Sequence, residues 1–96
     1  MPGCVYIVTN RKNGTLYTGV TSDIAERAFA HREGRGGTFA AKYGCTRLVW
    51  FEAFEDIRDA IAHEKRVKKW KRAWKINVIE AMNPNWHDLS DKLHGL

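Results

Sequence analysis

Ninety-six residues make room for one small domain and exclude two independent cores, because so short a chain buries a limited share of its surface. Apolar residues make up 44%, with four Trp, four Phe and three Tyr, which excludes a disordered chain, and the net charge of +5 favours a polyanionic partner. No apolar run approaches the ~20 residues of a membrane span, and the opening "MPGCVYIV" lacks the features of a signal peptide, so no membrane partner and a cytoplasmic location are expected.

The segments "CVYIVTN" (4–10) and "TLYTGV" (15–20) are β-branched and aromatic and flank "RKNG". Asn13-Gly14 is a hairpin signal, since a type I′ turn needs positive φ at both central residues. With those two at the turn, Asn10 is expected opposite Tyr17, Val8 opposite Gly19 and Tyr6 opposite Thr21. Tyr6 and Tyr17 then point to one side of the sheet.

"TSDIAERAFAHREG" (21–34) reads as a helix with Ser22 or Asp23 as N-cap and Gly34 as its stop. Helical spacing puts Ile24, Arg27, Ala28 and His31 on one stripe. "GRGGTFAAKYG" (34–44) reads as a mobile loop, and "RLVWFEAF" (47–54) as a central third strand because it is nearly continuous in apolar residues. Asp56 is expected to cap a helix through about Trp70, with inward positions Ile57, Ala60, Ile61, Glu64 and Val67. A further helix, 72–82, ends at Asn83-Pro84. The tail from 83 to 96 is polar and weakly helical, and is expected to pack on or extend the domain formed by 1–82. Cys4 and Cys45 have no C-x-x-C spacing and read as reduced, packed thiols.

The order β-β-α-β-α-α predicts an α+β domain with a three-stranded, mostly antiparallel sheet flanked by helices. Within it, Glu64 is a carboxylate on an apolar stripe, which requires a cation, a donor or a wet cleft. A structural ion pair, with Arg27 or a nearby lysine, answers that requirement as well as a functional one does. The run "KRVKKWKRAWK" (65–75) holds seven basic residues among eleven, interleaved with Trp70 and Trp74, for which core packing is the favoured role over base stacking. Two tyrosines, an Arg and a His one turn apart, and an inward Glu together suit phosphodiester cleavage: arginine for phosphate charge, Tyr or His for a proton, a hard carboxylate for Mg²⁺.

"VYIVTNRKNGTLYTGVTSDIAERAFAHREG" resembles the opening of the GIY-YIG nuclease superfamily, with Val5-Tyr6-Ile7 in the GIY place and Tyr17-Thr18-Gly19 in the YIG place. The later "AIAHEKRVKKWKR" fits as well, so the resemblance covers about residues 3 to 80. It is nearest to the small, stand-alone bacterial members, which share this module with the N-terminal incision domain of the excision-repair protein UvrC. The resemblance implies a metal-dependent DNA endonuclease of repair, recombination or defence; the alternative is a nucleic-acid-binding module that kept the fold without catalysis. It makes Glu64 the ligand of a single Mg²⁺ or Mn²⁺, Arg27 the phosphate-stabilising arginine, and Tyr6 and Tyr17 the motif tyrosines. His31 matches a histidine found in several branches, and Asn77, thirteen residues after Glu64, is a candidate accessory residue. Lys65, Lys68, Lys69, Lys71 and Arg72 would hold the DNA backbone. The general base stays open between Tyr6, Tyr17 and His31, because Val20 stands where the repair branch has a lysine. Targeting would come from the domain itself or from a protein partner.

Overall fold

The computed structural model describes residues 1–93. Three strands, β1 (Gly3–Thr9), β2 (Leu16–Thr21) and β3 (Arg47–Phe54), form a wholly antiparallel sheet in the order β2-β1-β3. Helices α1 (Ile24–Arg32), α2 (Thr38–Lys42), α3 (Ile57–Lys69) and α4 (Arg72–Met82) flank it, and a 3₁₀ turn at Leu89–Lys92 comes last. The α+β architecture is the one expected.

The central strand is β1, not β3. All seven residues of β1 are buried, whereas Glu52 and Ala53 of β3 are exposed. Continuous apolarity in β3 has another cause: its first half is covered on both faces. Alternation along β1 sends Val5 and Ile7 into a core with Ala60, Val67, Ile79 and Trp86, on the side of α3 and α4. Tyr6 and Val8 go the other way, into a core with Ala28, Ala40, Cys45, Leu89 and Leu93. A bulge between Ile7 and Val8 lets β3 place Val49 in the first core and Leu48 in the second.

The hairpin closes differently from the expected two-residue turn. Tyr6 pairs with Gly19 and Val8 with Tyr17, two residues out from the predicted register. The connection is longer because Asn10 Oδ1 accepts from Thr15 N at 2.9 Å and Gly14 N donates to Arg11 O at 2.9 Å. Only Asn13, at φ 60°, is left-handed there, so a type I′ turn is not formed. A shift of two preserves the parity of alternation, and Tyr6 and Tyr17 remain on one face.

Asp23 caps α1, accepting from Glu26 N at 3.1 Å, and Gly34, at φ 78°, comes directly after its C-cap. The glycine-rich segment expected as a loop contains α2, which buries Ala40 and packs Phe39 on Tyr17. Asp56 caps α3 through Arg58 N. Ala60, Glu64 and Val67 form its buried stripe, while Ile61 is 40% exposed because it falls at the margin of that stripe. Asn83 ends α4 and ties the tail to the sheet, donating to Val49 O and His87 O and accepting from His87 N. The tail is less polar in effect than in composition: Trp86 is fully buried and donates to Glu80 Oε2 at 2.8 Å, and Leu89 and Leu93 are buried. Cys4 and Cys45 are free, buried thiols, and burial pushes Cys4 up to about 11. Among the described residues no helix is long and apolar enough to cross a membrane.

Candidate active site

Tyr6 and Tyr17 emerge from neighbouring strands on the face that α1 covers, and α1 brings His31 between them. The Tyr6 hydroxyl lies 3.0 Å from His31 Nε2, and the imidazole packs edge-on to Tyr6 and tilted against Tyr17, centroids 5.3 and 5.8 Å away. Tyr6 is 3% exposed and Tyr17 half-buried, so solvent and any ligand approach from the Tyr17 side. Two glycines create the room. A Cβ at Gly19, the cross-strand partner of Tyr6, would collide with the Tyr6 hydroxyl and ring, and a Cβ at Gly36 would collide with the His31 ring.

The protonation of this pair is set by its burial. Desolvation first, and then the charge of Tyr17, push the Tyr6 phenol well above its ordinary 10, so Tyr6 keeps its proton. Desolvation and then the Arg27 charge push His31 below its ordinary 6.5, opposed by the backbone at Cys45 without reversal; the imidazole is neutral at pH 7. The Tyr6 hydroxyl has no other acceptor among the described residues, so it donates to Nε2. His31 Nδ1 then carries the ring proton and makes no well-formed hydrogen bond among the described residues.

Arg27, half-buried on α1, forms no ion pair among the described residues, and its Nε is buried without a partner. The expected possibility of an Arg27–Glu64 pair is therefore not realised. Glu64 instead pairs with Lys68, one turn on, Nζ to Oε2 at 2.9 Å. Glu64 is 9% exposed and comes from α3, in the layer opposite His31, yet its charge and that of Arg27 both bear on the Tyr6 hydroxyl. Tyr6, Tyr17 and His31 are thus in direct contact, while Arg27 and Glu64 flank them without hydrogen bonds to them. Glu64 fits a hard divalent cation that keeps most of its waters: it is a shielded carboxylate whose second oxygen makes no hydrogen bond or ion pair among the described residues. No cluster of three or more His, Cys, Asp or Glu residues surrounds it among the described residues, so the protein would contribute a single carboxylate.

Of the basic residues, Lys65, Lys69 and Lys71 are exposed and Lys68 is committed to Glu64. Arg72 is anchored, its Nη2 donating to Asn13 O at 2.8 Å and Gly14 O at 2.5 Å. Asn77 is exposed on α4 beside Trp70 and Trp74, apart from the tyrosine cluster. Sequence reasoning did not single out Gly19 and Gly36 as site-forming residues. Gly19 was within reach, since the true register sets it opposite Tyr6, whereas nothing in the sequence announces that Gly36 faces His31.

The pH response of this arrangement has a definite sign. In the unfolded chain His31 takes up a proton near 6.5, and in the folded state only at lower pH; its contribution to stability is present above 6.5 and lost as pH falls through the folded value. A chemical-denaturation series across this range is expected to show a stability loss at low pH that His31→Gln reduces. The His31 ring signal tracked by NMR should titrate below 6.5; a midpoint at or above 6.5 contradicts the buried, neutral imidazole.

Residues 2–77 match the family model described as the GIY-YIG catalytic domain. A UPF0213 protein of Clostridium perfringens is 38% identical over 77 residues, covering 80% of this chain and 82% of that protein. Another from Bacillus pumilus is 32% identical over 77 residues, with 80% and 79% covered. The solution NMR structure of a UPF0213 protein from Bacillus halodurans superposes with a TM-score of 0.56 at 30% identity, over the full length of both chains. The chain belongs to the GIY-YIG catalytic domain family of nucleases.

Proposed function

We propose that the protein is a divalent-metal-dependent endonuclease that hydrolyses phosphodiester bonds in DNA. The observation that carries this reading is the hydrogen bond from Tyr6 to a neutral His31, flanked by a buried, unpartnered Arg27 Nε and by Glu64. A phenol that cannot ionise by itself is a poor base, but one already bonded to a neutral imidazole can pass its proton on. As water attacks, its proton goes to the Tyr6 oxygen while the Tyr6 proton moves to His31 Nε2, which becomes imidazolium. Tyr17, the more open of the two tyrosines, orients the water. The Arg27 guanidinium donates to the phosphate oxygens on which charge grows. Glu64 holds Mg²⁺ or Mn²⁺, which when bound supplies positive charge to the scissile phosphate and the leaving oxygen. Lys65, Lys69 and Lys71 hold the DNA backbone, with Lys68 joining them when it leaves Glu64. Arg72 contributes mainly by fixing the β1–β2 connection beside them. A cytoplasmic role in repair, recombination or defence suits such an enzyme, with a targeting protein free to supply further choice of substrate.

A second reading draws on the Lys68–Glu64 pair, which offsets the charge of the carboxylate without a metal. In it the domain binds nucleic acid and does not cut. Incubation with supercoiled plasmid and branched DNA separates the two. Nicking with Mg²⁺ or Mn²⁺ that stops in a chelator is the expected result; binding with no nicking in either metal supports the second reading, and nicking undiminished by chelator removes the metal from the first.

A further inference from the structure

Core packing, the role favoured for Trp70 and Trp74, holds for Trp70, which is partly buried against the first core, and not for Trp74. Trp86 is fully buried and Trp50 is 6% exposed, while Trp74 is 57% exposed. Trp70 ends α3 in extended backbone, and Trp74 stands in the first turn of α4. The break between the helices sets the two rings in an edge-to-face contact, 6.4 Å apart at 65°, beside an open cleft of about 270 Å³ that they line together with Asn77 and Val78. Trp70 is braced from behind by His63, centroids 5.9 Å apart. The Trp74 ring thus has an uncovered face, on a junction that Arg72 ties to the β1–β2 connection.

The segment that carries the cleft is basic. Lys68, Lys69, Lys71 and Lys75 flank the two tryptophans in sequence, Lys69 and Lys71 exposed, Lys68 paired with Glu64 and Lys75 donating to Lys68 O at 3.4 Å, and no acidic residue occurs between positions 65 and 79. Glu80, the next carboxylate, is engaged by Trp86 Nε1. An apolar groove for a protein helix would not require this excess of cations, and a second copy of the chain would bring its own like-charged surface. A polynucleotide answers both features together, because each base offers a π-face and each phosphate a negative charge. A paired base in a duplex has both faces covered by its neighbours, so only an unpaired base can lie flat on the open face of Trp74.

We propose that the Trp70–Trp74 cleft stacks an unpaired nucleobase, so that the DNA this protein prefers carries a single-stranded segment. Asn77, exposed on the cleft wall, offers its amide to the edge of that base. A preference of this kind in cleavage rests on the nuclease reading; the binding itself does not.

The test is binding in chelator, without metal, of fluorescein-labelled oligothymidylate and of a blunt duplex of equal length. Trp74→Ala is expected to weaken oligothymidylate binding by about tenfold or more, with the duplex affected by about twofold at most and Trp74→Phe retaining most of the affinity. Quenching of intrinsic tryptophan fluorescence by oligothymidylate should shrink in the alanine variant. Equal losses on both ligands, or none on either, overturn the proposal. So does a wild-type dimer in sedimentation that Trp74→Ala dissolves, because the cleft then belongs to a second copy. Circular dichroism checks that the variant is folded, which the exposure of Trp74 favours. Because no metal is present, the result stands whether or not the wild type nicks DNA, and failure of nicking counts against the catalytic reading alone.

Discussion

Glu64→Gln is expected to reduce metal-dependent nicking by more than ~100-fold while leaving the protein folded. Loss of groups that merely support a metal ligand costs about 10–100-fold in metal affinity or activity, and Glu64 is proposed as the ligand itself. Glutamine keeps the volume and shape of the side chain on the buried stripe of α3, so no cavity opens between Ala60 and Val67. What stability changes is the Lys68 pair, whose lysine side is 51% exposed; such a pair contributes about 0.2–1 kcal/mol at most. A plasmid-nicking assay beside thermal unfolding separates the two quantities. Equal nicking by wild type and variant identifies a contaminating nuclease or removes Glu64 from the mechanism. Parallel loss of nicking and of folded protein makes the carboxylate a structural group.

Gly19→Ala carries the largest expected effect on stability. The added methyl meets the Tyr6 hydroxyl and ring, with Cε1 at 2.9 Å, and Tyr6 is 3% exposed, packed in the second core with Ala28 of α1. Overpacking of this kind costs about 1–3 kcal/mol. In a domain of this size each kcal/mol corresponds to about 4–8 °C in Tm. The displaced hydroxyl also leaves His31 Nε2, so activity falls further than the melting temperature alone explains. Gly36→Ala presses on the other side of His31, from an irregular segment that can yield, and should cost less stability for a comparable loss of nicking. A Gly19→Ala protein with unchanged Tm and activity contradicts the close approach of Tyr6 to β2.

The parts of this architecture legible in the sequence are those with a local cause. Asp23 and Asp56 announce their helices because a cap needs only the next turn, and the alternation of β1 survives any even shift in register. The features that were misread depend on distant partners. Asn13-Gly14 favours a tight turn, but Asn10 captures Thr15 N and lengthens the connection. An apolar run cannot tell a central strand from an edge strand whose faces are covered by Trp86 and Leu89, residues some forty positions later. The same holds for the cluster of Tyr6, Tyr17 and His31: that the two tyrosines share a face was readable, whereas the direction of the proton between Tyr6 and His31 depends on a burial that no spacing encodes. Lys68 as the partner of Glu64 is an ordinary i,i+4 pair and was legible in principle, alongside the long-range Arg27 option that the structure does not realise.

Trp86 has a bearing on how this domain is transplanted. The family match ends at residue 77, but the interior does not: Trp86 fills the core behind Val5 and Ile7, and Leu89 and Leu93 fill the one behind Tyr6. A fusion joint drawn at the end of the matched segment would therefore keep every residue proposed to touch DNA and still strip the floor from under the tyrosine. In a protein built of borrowed parts, the piece that matches a family and the piece that folds have different lengths.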